Sequence, residues 1–129
     1  CRAVRDVDAT LVLYGLAGSA LVTAAQAVGL RAASEVFADR SYQRDGSLTP
    51  RSQPGAMIED LDASVAQVLR MVREGVVRSI DGHDVPVRAD TLCIHGDQPG
   101  AAAFASAIRK ALEAAGVSVR APARAAGAA

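Results

Sequence analysis

Short apolar runs that stop at a turn signal alternate with stretches whose apolar residues fall at helical spacing. That alternation leaves few folds open. Ala9 to Tyr14 (ATLVLY) is one such run, and it ends at Gly15. It reads as a buried strand. Gly18 and Ser19 offer a turn and a helix N-cap, Leu21, Val22, Ala25 and Val28 follow at helical spacing, and Gly29 closes the helix. Leu30 to Val36 reads as a second strand. Leu61, Val65, Val68, Leu69 and Val72 share one face of an amphipathic helix, with Asp60 as cap and Gly75 as stop. Val76 to Ile80 and Val85 to Val87 flank the turn Asp81-Gly82-His83-Asp84 as a hairpin, whose second arm Pro86 confines to an edge. Thr91 to His95 is a third buried strand. Asp97 stands where it can cap a helix carrying Phe104, Ile108, Ala111 and Leu112, with Gly116 as its stop, and Val117 to Val119 fits one more short strand.

Strands that alternate with helices across short loops predict an α/β fold with parallel strands. The units present are too few to close a barrel within this chain. One domain is expected over residues 1–119. The tail from Arg120 (RAPARAAGAA) is low-complexity and is expected to be disordered. The chain begins without Met, in what reads as the approach to a strand, as a fragment or processed product would.

Charge decides which partners to expect. Lys+Arg equals Asp+Glu at 14 each, and no basic block interrupts that balance. Nucleic acid and anionic membrane surfaces are therefore not expected partners. No apolar run reaches the roughly 18 residues of a membrane span. Cys1 and Cys93 make no disulfide framework, so a reducing cytoplasm is the expected compartment.

In a parallel α/β layout, chemistry collects where strands end and helices begin. Three such ends are visible: Gly15 to Ser19, Glu35 to Tyr42, and His95-Gly96-Asp97. Cys93 and His95 alternate onto one strand face, opposite Leu92 and Ile94. If helices cover Leu92 and Ile94, His95 faces inward at the strand's end. A histidine there serves as acid, base or metal ligand, or as a hydrogen-bonded structural residue. Asp97 caps the next helix or joins the site, or does both.

The run Ser34 to Arg51, SEVFADRSYQRDGSLTPR, gathers six charges and two aromatics in an otherwise apolar chain. Glu35, Phe37 and Asp39 share a face if the strand continues that far. Two nearby acids can shift each other's pKa or hold a metal, or they can be solvated loop charges with Phe37 and Tyr42 covering the core's edge. A loop of this length is often a binding loop. No zinc spacing, phosphate loop or Rossmann glycine pattern is present. The Gly15 to Ser19 turn can offer N–H groups to an anion, though such a turn is more often only a turn.

Three strings in order, LYGLAGSA, SEVFADRSYQRDGSLTPRSQPGAMI and SIDGHDVPVRADTLCIHGDQPGA, resemble the LamB/YcsF family from about Asp8 to Val119. The resemblance implies the C-terminal part of a distorted (β/α) barrel of the glycoside hydrolase/deacetylase type. It implies an ATP-dependent 5-oxoprolinase subunit that opens the lactam of 5-oxoproline to L-glutamate, with partner subunits B and C. ATP is the implied co-substrate, with Mg2+. The family's opening acidic motif, of the DLN-x-D-x-GE type, has no match here, so the chain resembles the C-terminal half of a member. Set on that frame, Glu35, Asp39 and Arg40 are expected to line the substrate pocket. Arg40 or Arg51 is expected to bind the substrate carboxylate as a two-pronged donor. His95 is expected to move the proton at the ring nitrogen, with Asp97 orienting it or binding a metal. The competing expectations are a metal-dependent deacetylase or amidohydrolase without ATP, and an inactive barrel fragment.

Overall fold

Most of the helices and strands are placed by a local signal or by the sheet that they join. The computed structural model describes residues 1–97 and 100–122. Strands β1 (Val12–Leu16), β2 (Arg31–Phe37) and β5 (Thr91–Cys93) form a parallel sheet in the order β1-β2-β5. Helix α2 (Ala20–Ala27) connects β1 to β2. Between β2 and β5 come a long loop, helix α3 (Leu61–Glu74) and an antiparallel hairpin of β3 (Val76–Arg78) and β4 (Asp84–Pro86). Helix α4 (Ala101–Ala114) follows β5, and a short helix α1 (Arg2–Val7) precedes β1.

The register fixes the two faces of the sheet. Leu16 lies beside Glu35, Glu35 beside Thr91, and Phe37 beside Cys93, so these five side chains share one face. All five are half-buried. Gly15, Val36 and Leu92 alternate onto the other face, which the helices cover. A side chain on Gly15 would stand 3.2 Å from Val22 and 3.3 Å from Leu21, so its absence lets α2 sit directly on β1. Val36, fully buried, joins Val68 and Met71 of α3 and Ile108 and Leu112 of α4 in an aliphatic core. Burying each such side chain stabilises the fold by roughly 1.5–3 kcal/mol before entropy is counted.

Helix α3 follows its sequence pattern closely. Asp60 accepts a hydrogen bond from the Ala63 N–H at 2.7 Å, a cap that contributes about 1 kcal/mol. Gly75 ends the helix in the left-handed region, at φ 67°. Arg70 of α3 donates to both Glu74 and Asp84, and Arg78 also donates to Asp84. These bonds tie the hairpin to α3. Arg70 first, and then Arg78, hold the Asp84 carboxyl down at about 2. Pro86 sits at the outer edge of a two-stranded sheet, as a residue without an N–H should.

The structure corrects several expected boundaries. β1 begins at Val12, not Ala9, because the Asp8 side chain accepts from the Thr10 backbone N–H and hydroxyl and turns the chain there. The approach to that strand is helix α1, not extended chain. β5 ends at Cys93, so His95 lies two residues beyond it. α4 is capped by Gly100, not Asp97. Ser19 occupies the α2 cap position, but its hydroxyl makes no capping bond. Val117 to Val119 forms no strand; the Val117 N–H returns to Leu112 O and closes α4. Residues 120–122 carry no helix or strand, and the rest of the expected tail, 123–129, lies outside the described residues. So do Gln98 and Pro99 of the HGDQPGA string.

The long loop is wired, not loose. Arg40 bridges to Met57 and Tyr42 to Leu48, both antiparallel, and Tyr42 also pairs with Ser79 beside the hairpin. Tyr42 is fully buried, and its phenol oxygen accepts from the Phe37 N–H at 2.8 Å. Burial pushes its ionisation up to about 12, partly opposed by that N–H. A phenol raised from 10 contributes stability that is complete below pH 10 and is lost as pH rises from 10 toward 12. Tyr42→Phe should lower stability at pH 8 by about 1–3 kcal/mol, because the Phe37 N–H loses its acceptor. It should also flatten the loss of stability between pH 10 and 12. Urea midpoints of the full chain at pH 8 and pH 11 test both points; equal alkaline losses in the two proteins would refute the assignment.

Candidate active site

The C-terminal ends of β2 and β5, with the loop that follows β2, carry the candidate site. β2 ends at Phe37 and the chain bends at Ala38 and Asp39, where the Ala38 N–H donates to Cys93 O at 3.0 Å. Helix α3 then clamps the segment from outside. Ser64 donates to Ala38 O at 2.7 Å, and Gln67 donates to both Phe37 O and Arg40 O. Those bonds fix Asp39, which lies between the clamped carbonyls and is almost fully buried.

Asp39 holds His95. One carboxylate oxygen accepts from the His95 backbone N–H at 3.2 Å, and both oxygens lie 2.8–2.9 Å from the ring Nδ1. Phe37 stacks on the imidazole, with ring centres 5.9 Å apart and planes inclined by 25°. On the ring's far side, Arg51 Nη2 stands 3.0 Å from Nε2. A guanidinium can only donate, so Nε2 must be the unprotonated acceptor. The proton therefore sits on Nδ1 and is donated to Asp39. The network thus assigns one tautomer: a neutral imidazole with its basic nitrogen turned toward Arg51.

Arg51 and Arg40 play different parts. Arg51 is exposed in a turn after Pro50. Arg40 is buried, and its guanidinium donates to Thr49 O at 2.6 Å and Ala56 O at 3.2 Å. Its donors span the loop, so the expected carboxylate-binding role for Arg40 gives way to that of an internal pin. Asp39 likewise serves His95 first, instead of reaching into open space.

Glu35 is half-buried on the same sheet face as Phe37 and Cys93. Burial, and then the negative charges of Glu35 and Asp39, push the Cys93 thiol up. Cys93 is therefore a thiol and not a nucleophilic thiolate at neutral pH. Asp97 is exposed, and among the described residues no hydrogen bond joins it to His95; the orienting carboxylate is Asp39. In the turn at Gly15 to Ser19 the Ala17 N–H donates to Glu35 O and the Ser19 N–H to Leu16 O. Among the described residues no three His, Cys, Asp or Glu side chains stand together as a metal site.

Sequence reasoning overlooked Tyr42, Ser64 and Gln67 as supports of the site. A signal was present for the last two: both are polar residues of α3 that turn inward, Ser64 fully buried.

Comparison with known proteins agrees with this architecture. The LamB/YcsF family model matches residues 1–127. The A subunit of 5-oxoprolinase from Bordetella pertussis (strain Tohama I) is 69% identical over 121 residues, which cover 94% of this chain and 48% of that protein. The A subunit of 5-oxoprolinase from Bacillus subtilis (strain 168) is 59% identical over 120 residues, 93% of this chain and 47% of that protein. The crystal structure of the lactam utilization protein from Thermus thermophilus superposes with a TM-score of 0.86 at 48% identity, covering 94% of this chain and 48% of that one. The chain spans about half the length of the curated relatives it matches. With the family match running through all three strand ends and the loop between them, the chain belongs to the LamB/YcsF family.

Proposed function

We propose that this chain supplies part of the active site of the A subunit of an ATP-dependent 5-oxoprolinase, which hydrolyses the lactam of 5-oxo-L-proline to L-glutamate. One observation carries the reading: the hydrogen-bonded chain Asp39–His95–Arg51 at the ends of the parallel strands. The names of the relatives supply the substrate.

The chemistry needs a proton moved twice. Water adds to the lactam carbonyl carbon and gives up a proton to His95 Nε2. The carbon–nitrogen bond then breaks, and the same proton passes to the departing ring nitrogen. Asp39 keeps Nδ1 protonated and stabilises the imidazolium between the two transfers. Arg51 binds the substrate carboxylate. Glu35, on the sheet face shared with Phe37, is a further acid placed to reach the substrate.

The reading includes ATP as co-substrate with Mg2+, and subunits B and C as partners. No step here is routed through the nucleotide. The parallel sheet with helices on one face supports membership of a distorted (β/α) barrel. No described helix is long and apolar enough to cross a membrane. A cytoplasmic setting belongs to the proposal.

The test is glutamate release from 5-oxoproline by the full-length A subunit combined with subunits B and C. Release that requires ATP is expected. Release without ATP would favour a lactam hydrolase that works alone, and no release from a folded, assembled complex would overturn the reading.

A further inference from the structure

His95 Nε2 has one lone pair, and Arg51 occupies it. In this arrangement the imidazole cannot take a proton from water. The ring itself is not free to move: Asp39 holds it at Nδ1 and at the backbone N–H, and Phe37 stacks on its face. Arg51 is the movable partner. It is exposed, it lies in a turn outside any helix or strand, and its bond to His95 is the one side-chain hydrogen bond it makes among the described residues.

A neutral imidazole is a weak partner for a guanidinium. A carboxylate accepts two parallel bonds from the same fork and adds charge, roughly doubling the strength of each bond. A ligand carboxylate near the rim should therefore draw Arg51 off the ring. We propose that Arg51 masks the base of this site, and that the ligand's own carboxylate unmasks it. This rests on the reading of His95 as the proton acceptor.

The consequence is a specificity that binding alone would not give. A neutral lactam of the same ring, 2-pyrrolidinone, loses the contact to Arg51 and also leaves Nε2 blocked. Its penalty falls on kcat as well as on KM, whereas loss of uniform binding raises KM alone. The site is thus selective for small lactams that carry a carboxylate, through release of the base as well as through affinity.

The direct readout is the ring 15N spectrum of His95 in the full-length A subunit labelled at histidine, without ATP. That measurement does not require turnover, so it stands or falls separately from the glutamate assay. Saturating 5-oxoproline should move the Nε2 resonance toward that of a free lone pair, while 2-pyrrolidinone at the same concentration should leave it in place. The Arg51→Met protein should show the moved position with no ligand present. In the assembled enzyme, Arg51→Met should raise KM for 5-oxoproline and narrow the kcat gap between the two lactams by at least about tenfold. An Nε2 resonance unmoved by saturating 5-oxoproline, or identical in the wild-type and Arg51→Met proteins without ligand, would overturn the proposal.

Discussion

On the proposed function, Asp39→Asn in the full-length protein assembled with its proposed partners is expected to lower glutamate release by about two to four orders of magnitude. The reason is the tautomer. Asp39 accepts from both the backbone N–H and Nδ1–H of His95. An amide has one acceptor oxygen and one donor nitrogen. If the oxygen keeps the backbone bond, the NH2 group faces Nδ1 and drives the ring proton to Nε2. The base is then lost, and the Arg51 donor meets a second donor across the 3.0 Å contact. His95→Ala removes the base outright and should cost a similar factor. The double variant should be little worse than either single one, because the two residues act as one unit. The ring 15N pattern of the Asp39→Asn protein should report the proton on Nε2, which a merely structural loss would not produce. A rate within about threefold of wild type, in a protein shown to be folded, would remove His95 and Asp39 from the chemistry.

The parts of this fold that were legible in the sequence are those with local causes. Helix α3 could be read end to end because its apolar spacing, its Asp60 cap and its Gly75 stop all lie within the helix and its two flanking residues. The strand ends could be located because an apolar run that stops is a local event. His95 and the residues Glu35 to Arg51 could be nominated on that basis. Their pairings could not. Asp39 and His95 are 56 positions apart, and Arg51 and His95 are 44 apart. The parallel pairing of β2 with β5 brings Asp39 to His95, and the folded loop after β2 carries Arg51 there. Asp97, two residues from His95, was the local candidate for the orienting acid, and the long-range partner took that place. Arg40 shows a related limit. In a polar run at a strand end it reads as a carboxylate binder, and only the folded loop shows the two carbonyls to which it donates. Helix α1 left no signal because it buries no residue and so needs no apolar stripe.

Arg40 therefore separates the two readings of the charged run most sharply. If it were a substrate arginine, Arg40→Met would raise KM and leave stability within about 0.5 kcal/mol of wild type. As an internal pin it behaves differently. Thr49 and Ala56 are both buried; removing the guanidinium leaves the Thr49 carbonyl without a donor, while the Ala56 carbonyl keeps the Ser41 N–H. An unsatisfied buried acceptor costs about 1–3 kcal/mol, so a loss of about that size is expected from urea unfolding of the full-length protein. Met fills most of the vacated length, so the loss is not mainly that of a cavity. Arg40→Lys should recover only part of it, because a single ammonium cannot serve both carbonyls with the geometry of a planar fork. Activity should fall as well, but through Arg51. The same strand-like turns that Arg40 ties together, from Ser41 to Ala56, carry Arg51 to His95. Loosening them should make the segment from Thr49 to Ala56 the first to be cut by protease. An Arg40→Met protein with wild-type stability and protease resistance but a raised KM would return Arg40 to the substrate pocket and leave the loop to be held by its backbone bonds alone.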